Sequence, residues 1–351
     1  MRTLAVRASK TYDIYIGNRL LDEAGDYLQK IVGGNIAAIV TDDLVDQLYS
    51  GIVEESLVNS GYKVVKFVIA RGERSKNAEN YLRLLDFLSE NKLSRSDVVV
   101  ALGGGVVGDL AGFSASTYLR GVKLVQMPTT LLAAVDASVG GKTAINLKSG
   151  KNQAGTFYQP DLVLSDYSTF KTLEQTVFQD GCSEIIKYGM IASAELFSII
   201  KEPLMPQLEE VIYRCLSIKR DIVAEDERDS GQRQLLNFGH TIGHGIEACS
   251  NYAVSHGSAV AIGMVLITRA AVKLGYCSDN CLTEISYMVT SFGLPASSPY
   301  TSEQLFACAA ADKKLRGKKI TLVIPEAIGK CVLKEMPLDE LQHLIELGIG
   351  S

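Results

Sequence analysis

Asp97-Val98-Val99-Val100-Ala101-Leu102-Gly103-Gly104-Gly105-Val106-Val107-Gly108-Asp109 decides how the first half of this chain folds. The run 98–102 is apolar at every position and rich in β-branched valine. That predicts a strand covered on both faces, the signature of a parallel sheet between helices. Glycines follow, and an apolar helical pattern opens behind them. From Gly103 the letters satisfy Gly-x-Gly-x-x-Gly, a turn tight enough for backbone to approach a pyrophosphate at a helix N-terminus. The segment departs from the dinucleotide fingerprint, because this strand is not the first and no acidic residue stands about 20 positions on. A glycine turn needed only for packing has the same letters. Asp42, at the end of an earlier strand, is placed to take ribose hydroxyls.

On either side, short apolar runs alternate with helical spacing. Strands are expected at Tyr12–Ile16, Ile36–Val40, Tyr62–Ile69, Lys123–Met127 and Leu162–Leu164, and helices at Leu20–Val32, Leu44–Val58 and Asn77–Glu90. From about Phe170 the character changes. Helices are expected at Glu174–Ile200, Gln207–Glu227, Gln234–Cys249, His256–Leu274 and from near Ser278, with a short hairpin at Ile320–Ile324 and Cys331–Lys334. The fold class is therefore α/β: a Rossmann-like parallel-sheet domain over residues 1–170, then a mostly helical domain over 171–351.

Composition narrows the function classes. The chain has 351 residues, 47% hydrophobic and 21% charged, which suits a globular protein with a large core. A net charge of −5 argues against a nucleic-acid surface but permits a local basic pocket. No apolar run reaches the roughly 20 residues of a membrane span. The N-terminus, Met1-Arg2-Thr3-Leu4-Ala5-Val6-Arg7, lacks a leader's apolar core. Seven scattered cysteines without a Cys-x-x-Cys pair point to free thiols and a cytoplasmic location.

Three of the four histidines fall in one stretch, Asn237-Phe238-Gly239-His240-Thr241-Ile242-Gly243-His244 and then Ser255-His256-Gly257. His240 and His244 are one helical turn apart, and His256 opens the next helix. A helical hairpin brings such residues together around a metal, although two histidines at this spacing are more often surface residues. Spacing alone pairs His240 with His244 as ligands. A zinc of catalytic type commonly adds a carboxylate, and Glu184, in Ser183-Glu184-Ile185-Ile186-Lys187, is the best candidate; solvated charges on an amphipathic helix would read the same way. Asp136 stands alone in an apolar frame, and Lys142 follows paired glycines. Lysines on such loops suit a phosphate or carboxylate.

Taken together, Gly103–Asp109, Pro128–Lys142, Gly150–Asn152, Glu184–Gly189 and Asn237–His256 resemble the 3-dehydroquinate synthases, a family of sugar-phosphate cyclases. The resemblance runs through nearly the whole chain in order. It implies zinc or cobalt on Glu184, His240 and His256, which leaves His244 as a proton-shuttling neighbour instead of a ligand. It implies an NAD site on Asp42, on the loop Arg71, Gly72, Glu73, Arg74, Ser75 and Lys76, on Gly105, Val106, Val107, Gly108 and Asp109, on Thr129, Thr130, Lys142 and Lys151, and on Thr169, Phe170, Lys171 and Thr172. It implies sugar-phosphate contacts from Asp136, Lys142, Asn152, Lys187, Lys219, Arg233, Asn237, His244 and one lysine of Lys313-Lys314, with Arg120 lent to a second copy in a homodimer. The implied reaction turns 3-deoxy-D-arabino-heptulosonate 7-phosphate into 3-dehydroquinate and phosphate. The chain departs from the family at Leu173-Glu174-Gln175-Thr176-Val177, where the usual Pro and Arg are missing, and at Ser183, where alanine is usual. Cyclases of the valiolone or inosose type and metal-dependent polyol dehydrogenases are the rival readings. Arg233 favours a substrate that carries a carboxylate.

Overall fold

A computed structural model describes residues 1–313 and 319–350, the side chains of 310–313 excepted. The chain divides into two compact units, one of Met1–Leu173 with Lys219–Glu227, the other of Glu174–Ile218 with Arg228–Ser351. The first division falls after 173, where 170 was expected. The return of Lys219–Glu227 to the first unit has no local signal in the sequence.

The strands of the first unit are β1 (Arg2–Arg7), β2 (Thr11–Gly17), β3 (Ile36–Asp42), β4 (Lys63–Ile69), β5 (Val98–Gly103), β6 (Lys123–Pro128), β7 (Lys142–Leu147), β8 (Gly150–Phe157) and β9 (Leu162–Asp166). Its helices are α1 (Ala24–Gln29), α2 (Asp43–Val45), α3 (Gly51–Asn59), α4 (Ala78–Glu90) and α5 (Gly105–Thr117). Seven strands form one sheet in the order β1-β2-β9-β6-β5-β3-β4, parallel except for β1. Every residue of β5 is buried, as its run of valines requires. From β3 the chain first moves outward to β4, then returns to the other side of β3 as β5. The winding therefore reverses between β3 and β5, the place where open parallel sheets bind ligands beyond their carboxyl ends. Val40 pairs with Ala101 and Gly103 with Pro128. Asp42, two residues past Val40, thus reaches the same end of the sheet as Gly103.

Two expectations change here. Charge at Arg2 and Arg7 hid β1, whose Leu4 and Val6 alternate inward. The stretches around Lys142 and Lys151 are not loops but the antiparallel ribbon β7–β8, entered through Gly140 (φ 90°) and Gly141 (φ 72°). A backbone in that left-handed region suits glycine, which has no Cβ to clash.

The second unit contains α6 (Gln175–Ala192), α7 (Ala194–Ile199), α8 (Leu208–Glu225, its end counted with the first unit), α9 (His240–Cys249), α10 (His256–Lys273), α11 (Asp279–Ser291), α12 (Ser302–Lys313) and α13 (Leu338–Ile349), with the hairpin β10 (Lys319–Ala327) and β11 (Lys330–Pro337). Two expected long helices are interrupted. Ser193 ends α6 in extended backbone and caps α7 through its hydroxyl. Gly239, at φ 78°, separates a 3-10 turn over Gln232–Asn237 from α9. The cysteines depart from expectation too. Cys249 on α9 and Cys308 on α12 are disulfide-linked, while Cys182, Cys215, Cys277, Cys281 and Cys331 are in no disulfide. Cysteine usage therefore gives no argument for a reducing compartment. Among the described residues, no helix is long and apolar enough to cross a membrane.

Close approach of α9 to α10 depends on missing side chains. A Cβ on Gly263 would lie 2.1 Å from the Gly239 carbonyl oxygen, and one on Gly239 would lie 2.8 Å from the Val260 oxygen. These obstacles are backbone, which yields less readily than a side-chain tip. Gly263→Ala is therefore expected to push the two helices apart and to destabilise the protein by about 1–3 kcal/mol, the usual range for overpacking. Thermal unfolding measures it, and a wild-type midpoint would contradict the packing described.

Candidate metal centre and glycine-loop site

The middle of α6, from Gly181 to Ile191, is buried. Glu184 and Lys187 share that stretch, each 1% exposed by side chain. They are therefore not the solvated charges that the same letters could mean. Lys187 Nζ ion-pairs with Glu184 Oε2, yet neither carboxylate oxygen has a hydrogen bond of acceptable geometry. A dry carboxylate left so short of partners is costly unless a cation faces it. Burial alone would raise the Glu184 carboxyl, but Lys187 and His240 outweigh it and hold it well below the usual carboxylate range.

Two imidazoles supply the rest. His240 is the first residue of α9 and His256 the first of α10. The Nε2 atoms of both lie 3.5 Å from Glu184 Oε1. Bonds of about 2.0–2.1 Å to a tetrahedral ion would separate two ligand atoms by about 3.4 Å, so the spacing fits zinc or a similar cation. The three ligand atoms lie within 4.8 Å of one another. His240 Nδ1 is 3.1 Å from the Phe238 carbonyl oxygen, which fixes that ring with Nε2 facing Glu184. His244 is not in this group. It is exposed, its ring 5.7 Å from that of His240 and 6.1 Å from that of His256, and it belongs to a second cluster with Glu247 and His256. The pairing of His240 with His244 that spacing suggests is thus replaced by His240 with His256. A turn on one helix separates ligand atoms along its axis, whereas two helix starts converge.

Asp180, one turn before Glu184, accepts from Ser255 Oγ (2.6 Å) and the Ser258 amide (3.2 Å). It thereby caps the start of α10 beside His256. Arg233 is 1% exposed and Asn237 half-buried, both on the 3-10 turn before α9. Lys314 and the side chain of Lys313 lie outside the described residues.

In the first unit, α5 begins at Gly105 without a side-chain cap. A Cβ on Gly104 would come within 3.1 Å of Thr130 Cγ2 and one on Gly108 within 2.9 Å of Gln126 Oε1. The glycines thus serve packing at the start of the helix. Val107 is core, so only its amide can face a ligand, and Val106 is half-buried. Buried Thr41 Oγ1 and Thr129 Oγ1 have no hydrogen-bond partner at this carboxyl end of the sheet, as a site for a polar cofactor would leave them. One Asp42 oxygen is already used, accepting from the Leu44 and Val45 amides.

Lys76 is buried and bonds Asp109 Oδ2 (2.9 Å) and Glu73 Oε1 (3.1 Å). Burial would lower its ammonium, but Asp109 and Glu73 outweigh that and hold it above its usual range. Asn146 links this cluster to Asn152. Its Nδ2 donates to Glu73 Oε1 (2.7 Å), and its Oδ1 accepts the Asn152 amide (2.9 Å). Asn146 was not singled out from the sequence. Lys219 Nζ bonds Asp136 Oδ1 (2.6 Å) and the Asp136 carbonyl oxygen (2.7 Å). Thr172 Oγ1 pairs with Tyr49 OH (2.5 Å), which also donates to the Thr169 carbonyl (3.0 Å). Thr169, Phe170 and Ser75 are buried, Lys151 and Gly105 are half-buried, and Arg71, Gly72, Arg74, Lys142 and Lys171 are exposed. Arg120 is exposed among three consecutive residues of positive φ, from Leu119 to Gly121.

Two family models match, "3-dehydroquinate synthase N-terminal" over residues 66–180 and "3-dehydroquinate synthase C-terminal" over 181–315. A 3-dehydroquinate synthase of Enterococcus faecalis is 42% identical, with 98% of each chain covered. Among solved structures, a 2-epi-5-epi-valiolone synthase from Streptomyces hygroscopicus with NAD+ and Zn2+ bound has a TM-score of 0.86 at 27% identity, covering 98% of each chain. A 2-deoxy-scyllo-inosose synthase complexed with carbaglucose-6-phosphate, NAD+ and Co2+ also scores 0.86, at 22% identity over 98% of this chain and 99% of the other, a likeness of fold.

The metal-free centre has a pH signature. Burial would lower the His256 imidazole, but Glu184 and Glu247 outweigh it and push it up to about 10. With the side chain 33% exposed, solvent tempers the effect. A raised pKa means that the stability from His256 protonation is fully present below its ordinary value of 6.5 and is lost as pH rises through about 10. A cation must displace that proton. Metal uptake near neutral pH is expected to release about one proton, and apparent affinity to rise about tenfold per pH unit up to that range. Calorimetry in buffers of different ionisation enthalpy counts the proton, and uptake without release would contradict the assignment.

Proposed function

This chain belongs to the 3-dehydroquinate synthase family, and from that premise we propose that it converts 3-deoxy-D-arabino-heptulosonate 7-phosphate to 3-dehydroquinate and phosphate, as an NAD- and metal-dependent lyase. The observation that carries the proposal is the buried Glu184 carboxylate with the His240 and His256 Nε2 atoms 3.5 Å from it.

Phosphate on carbon 7 leaves only when the proton on carbon 6 is acidic, and a ketone at carbon 5 makes it so. The glycine loop would hold NAD, which would supply a reversible hydride acceptor for the carbon 5 alcohol, with no net NADH formed. Glu184, His240 and His256 would hold zinc or cobalt, which would supply a Lewis acid to lower the pKa of a substrate alcohol.

Every other role falls to the chain's own groups. His244, exposed beside the centre, takes the hydroxyl proton and returns it. Lys187 keeps Glu184 ionised. The α5 N-terminus and the Thr129 and Thr130 region receive the cofactor's phosphates, and Lys76, fixed by Asp109 and Glu73, adds positive charge there. In the first unit Lys142 and Asn152 would offer donors to a phosphate, with Arg120 lent to a second copy in a homodimer, and in the second unit Asn237 would offer its amide. The phosphate's own oxygen takes the proton from carbon 6. Arg233, a planar fork in a buried setting, receives the substrate carboxylate, and in the first unit Lys219 is held by Asp136.

Phosphate release from the heptulosonate phosphate with trace NAD+ is the direct test. Release is expected to stop with a chelator, to return with Zn2+ or Co2+, and to proceed without net NADH. His256→Ala is expected to abolish nearly all turnover. Arg233→Lys should lower kcat/KM by about 10- to 150-fold, equivalent to about 1.5–3 kcal/mol for a lost charged hydrogen bond. Equal turnover of sedoheptulose 7-phosphate, which has no carboxylate, would shift the reading to a different cyclase.

A further inference from the structure

α9 presents His240, His244 and Glu247 at intervals of four and three, which is one face of a helix. Glu247 lies outside the group of Glu184, His240 and His256. It is 3% exposed, one turn beyond an exposed histidine. Burying a carboxylate in a helix whose neighbouring Ile242 and Ile246 are core needs a partner for it. Glu247 Oε2 lies 3.3 Å from His256 Nδ1. The other nitrogen of the same ring, Nε2, lies 3.5 Å from Glu184 Oε1. One imidazole thus spans two buried carboxylates, one at each nitrogen.

The two nitrogens cannot do the same work. A ring that donates its Nδ1–H to a carboxylate presents a lone pair at Nε2 and is turned so that this lone pair faces the metal position. His240 obtains the same tautomer from a backbone carbonyl, Phe238. His256 opens its helix, and its ring nitrogen meets a side-chain carboxylate instead. Glu247 is well placed to hold still. Its own carbonyl accepts from the Tyr252 amide (2.7 Å) and Ser250 Oγ (2.9 Å), which ties down the end of α9.

We propose that Glu247 is the positioning residue of the metal centre: it fixes the tautomer and orientation of His256 and makes that ring a stronger ligand. This rests on the reading that Glu184, His240 and His256 hold a divalent cation. The negative charge facing Nδ1 strengthens the Nε2 lone pair, and residues in this relation to a ligand usually change metal affinity 10- to 100-fold when removed.

The test uses the full-length protein and Co2+ in competition with a chelator of known affinity. Glu247→Gln keeps the shape and removes the charge, and Glu247→Ala removes both. Co2+ affinity, corrected for the proton that the metal displaces by following it against pH, is expected to fall 10- to 100-fold in the first and further in the second, while metal-free Glu247→Gln keeps the wild-type fold by circular dichroism. The Co2+ absorption bands should differ between wild type and Glu247→Ala. Nitrogen-15 spectra of the wild-type imidazoles need no variant, and they should show His256 protonated at Nδ1 and metal-bound at Nε2. Wild-type affinity in both variants, or His256 ligating through Nδ1, overturns the proposal while the metal centre stands. Failure of the wild type to take up Co2+ stoichiometrically, or full uptake by His256→Ala, overturns both.

Discussion

A carboxylate in the dry middle of a helix is the constraint around which the second unit is organised. Glu184 lies among Ile185, Ile186 and Tyr188, all fully buried. A charge in that setting is stable only if opposite charge and ligand-like donors converge on it. Lys187 supplies charge from the same helix. The imidazoles come from two helix starts, and both must arrive at one carboxylate oxygen. Helix α9 approaches α10 closely because Gly239 and Gly263 carry no side chain where their backbones meet. Asp180 then pins the start of α10 from one turn before Glu184. Packing, capping and ligand geometry are thus a single arrangement, and a change in any one moves the others.

The glycine-loop unit solves a different problem. Its sheet keeps a core on both faces while the start of α5 carries no side-chain cap. The winding reverses between β3 and β5, so the chain leaves that end open. Val107 points into the core while the start of the same helix lies uncapped. Polar side chains then line the opening by bonding one another. Lys76 is held by Asp109 and Glu73, and Asn146 carries the connection from Glu73 to Asn152. A lysine so anchored loses little freedom when it meets a phosphate, which is how preorganisation contributes to binding.

The histidine centre shows how one residue type can be fixed in two ways. A helix that begins with histidine after a left-handed glycine finds a backbone carbonyl at its Nδ1, as His240 does with Phe238. A helix that begins with histidine after an extended serine is served by a carboxylate from a neighbouring helix, as His256 is by Glu247. Both devices leave Nε2 directed at Glu184. A rigid ligand set lowers the reorganisation needed when a cation binds, and a site of this kind benefits from it more than from any single strong bond.

Much of this was legible in the letters. The valine run before Gly103 specified a doubly covered strand, because strands with one face in water commonly alternate apolar with polar residues. Histidine scarcity and spacing pointed to the metal region, and apolar periodicity gave most helices. Local pattern could not say whether Glu184 and Lys187 face water or core, since an i, i+3 pair looks the same in either place. Nor could it show that Gly239 breaks a helix, that the Lys142 region pairs as a ribbon, or that Cys249 meets Cys308. Glu247 was hidden for the same reason: its partner, His256, sits on another helix. The sequence by itself determined which elements form and which side chains are available for chemistry, because those follow from short-range periodicity and residue type. Only the tertiary structure decided which nitrogen faces which oxygen, because that depends on how closely two helices approach and on charges whose burial no single segment can report.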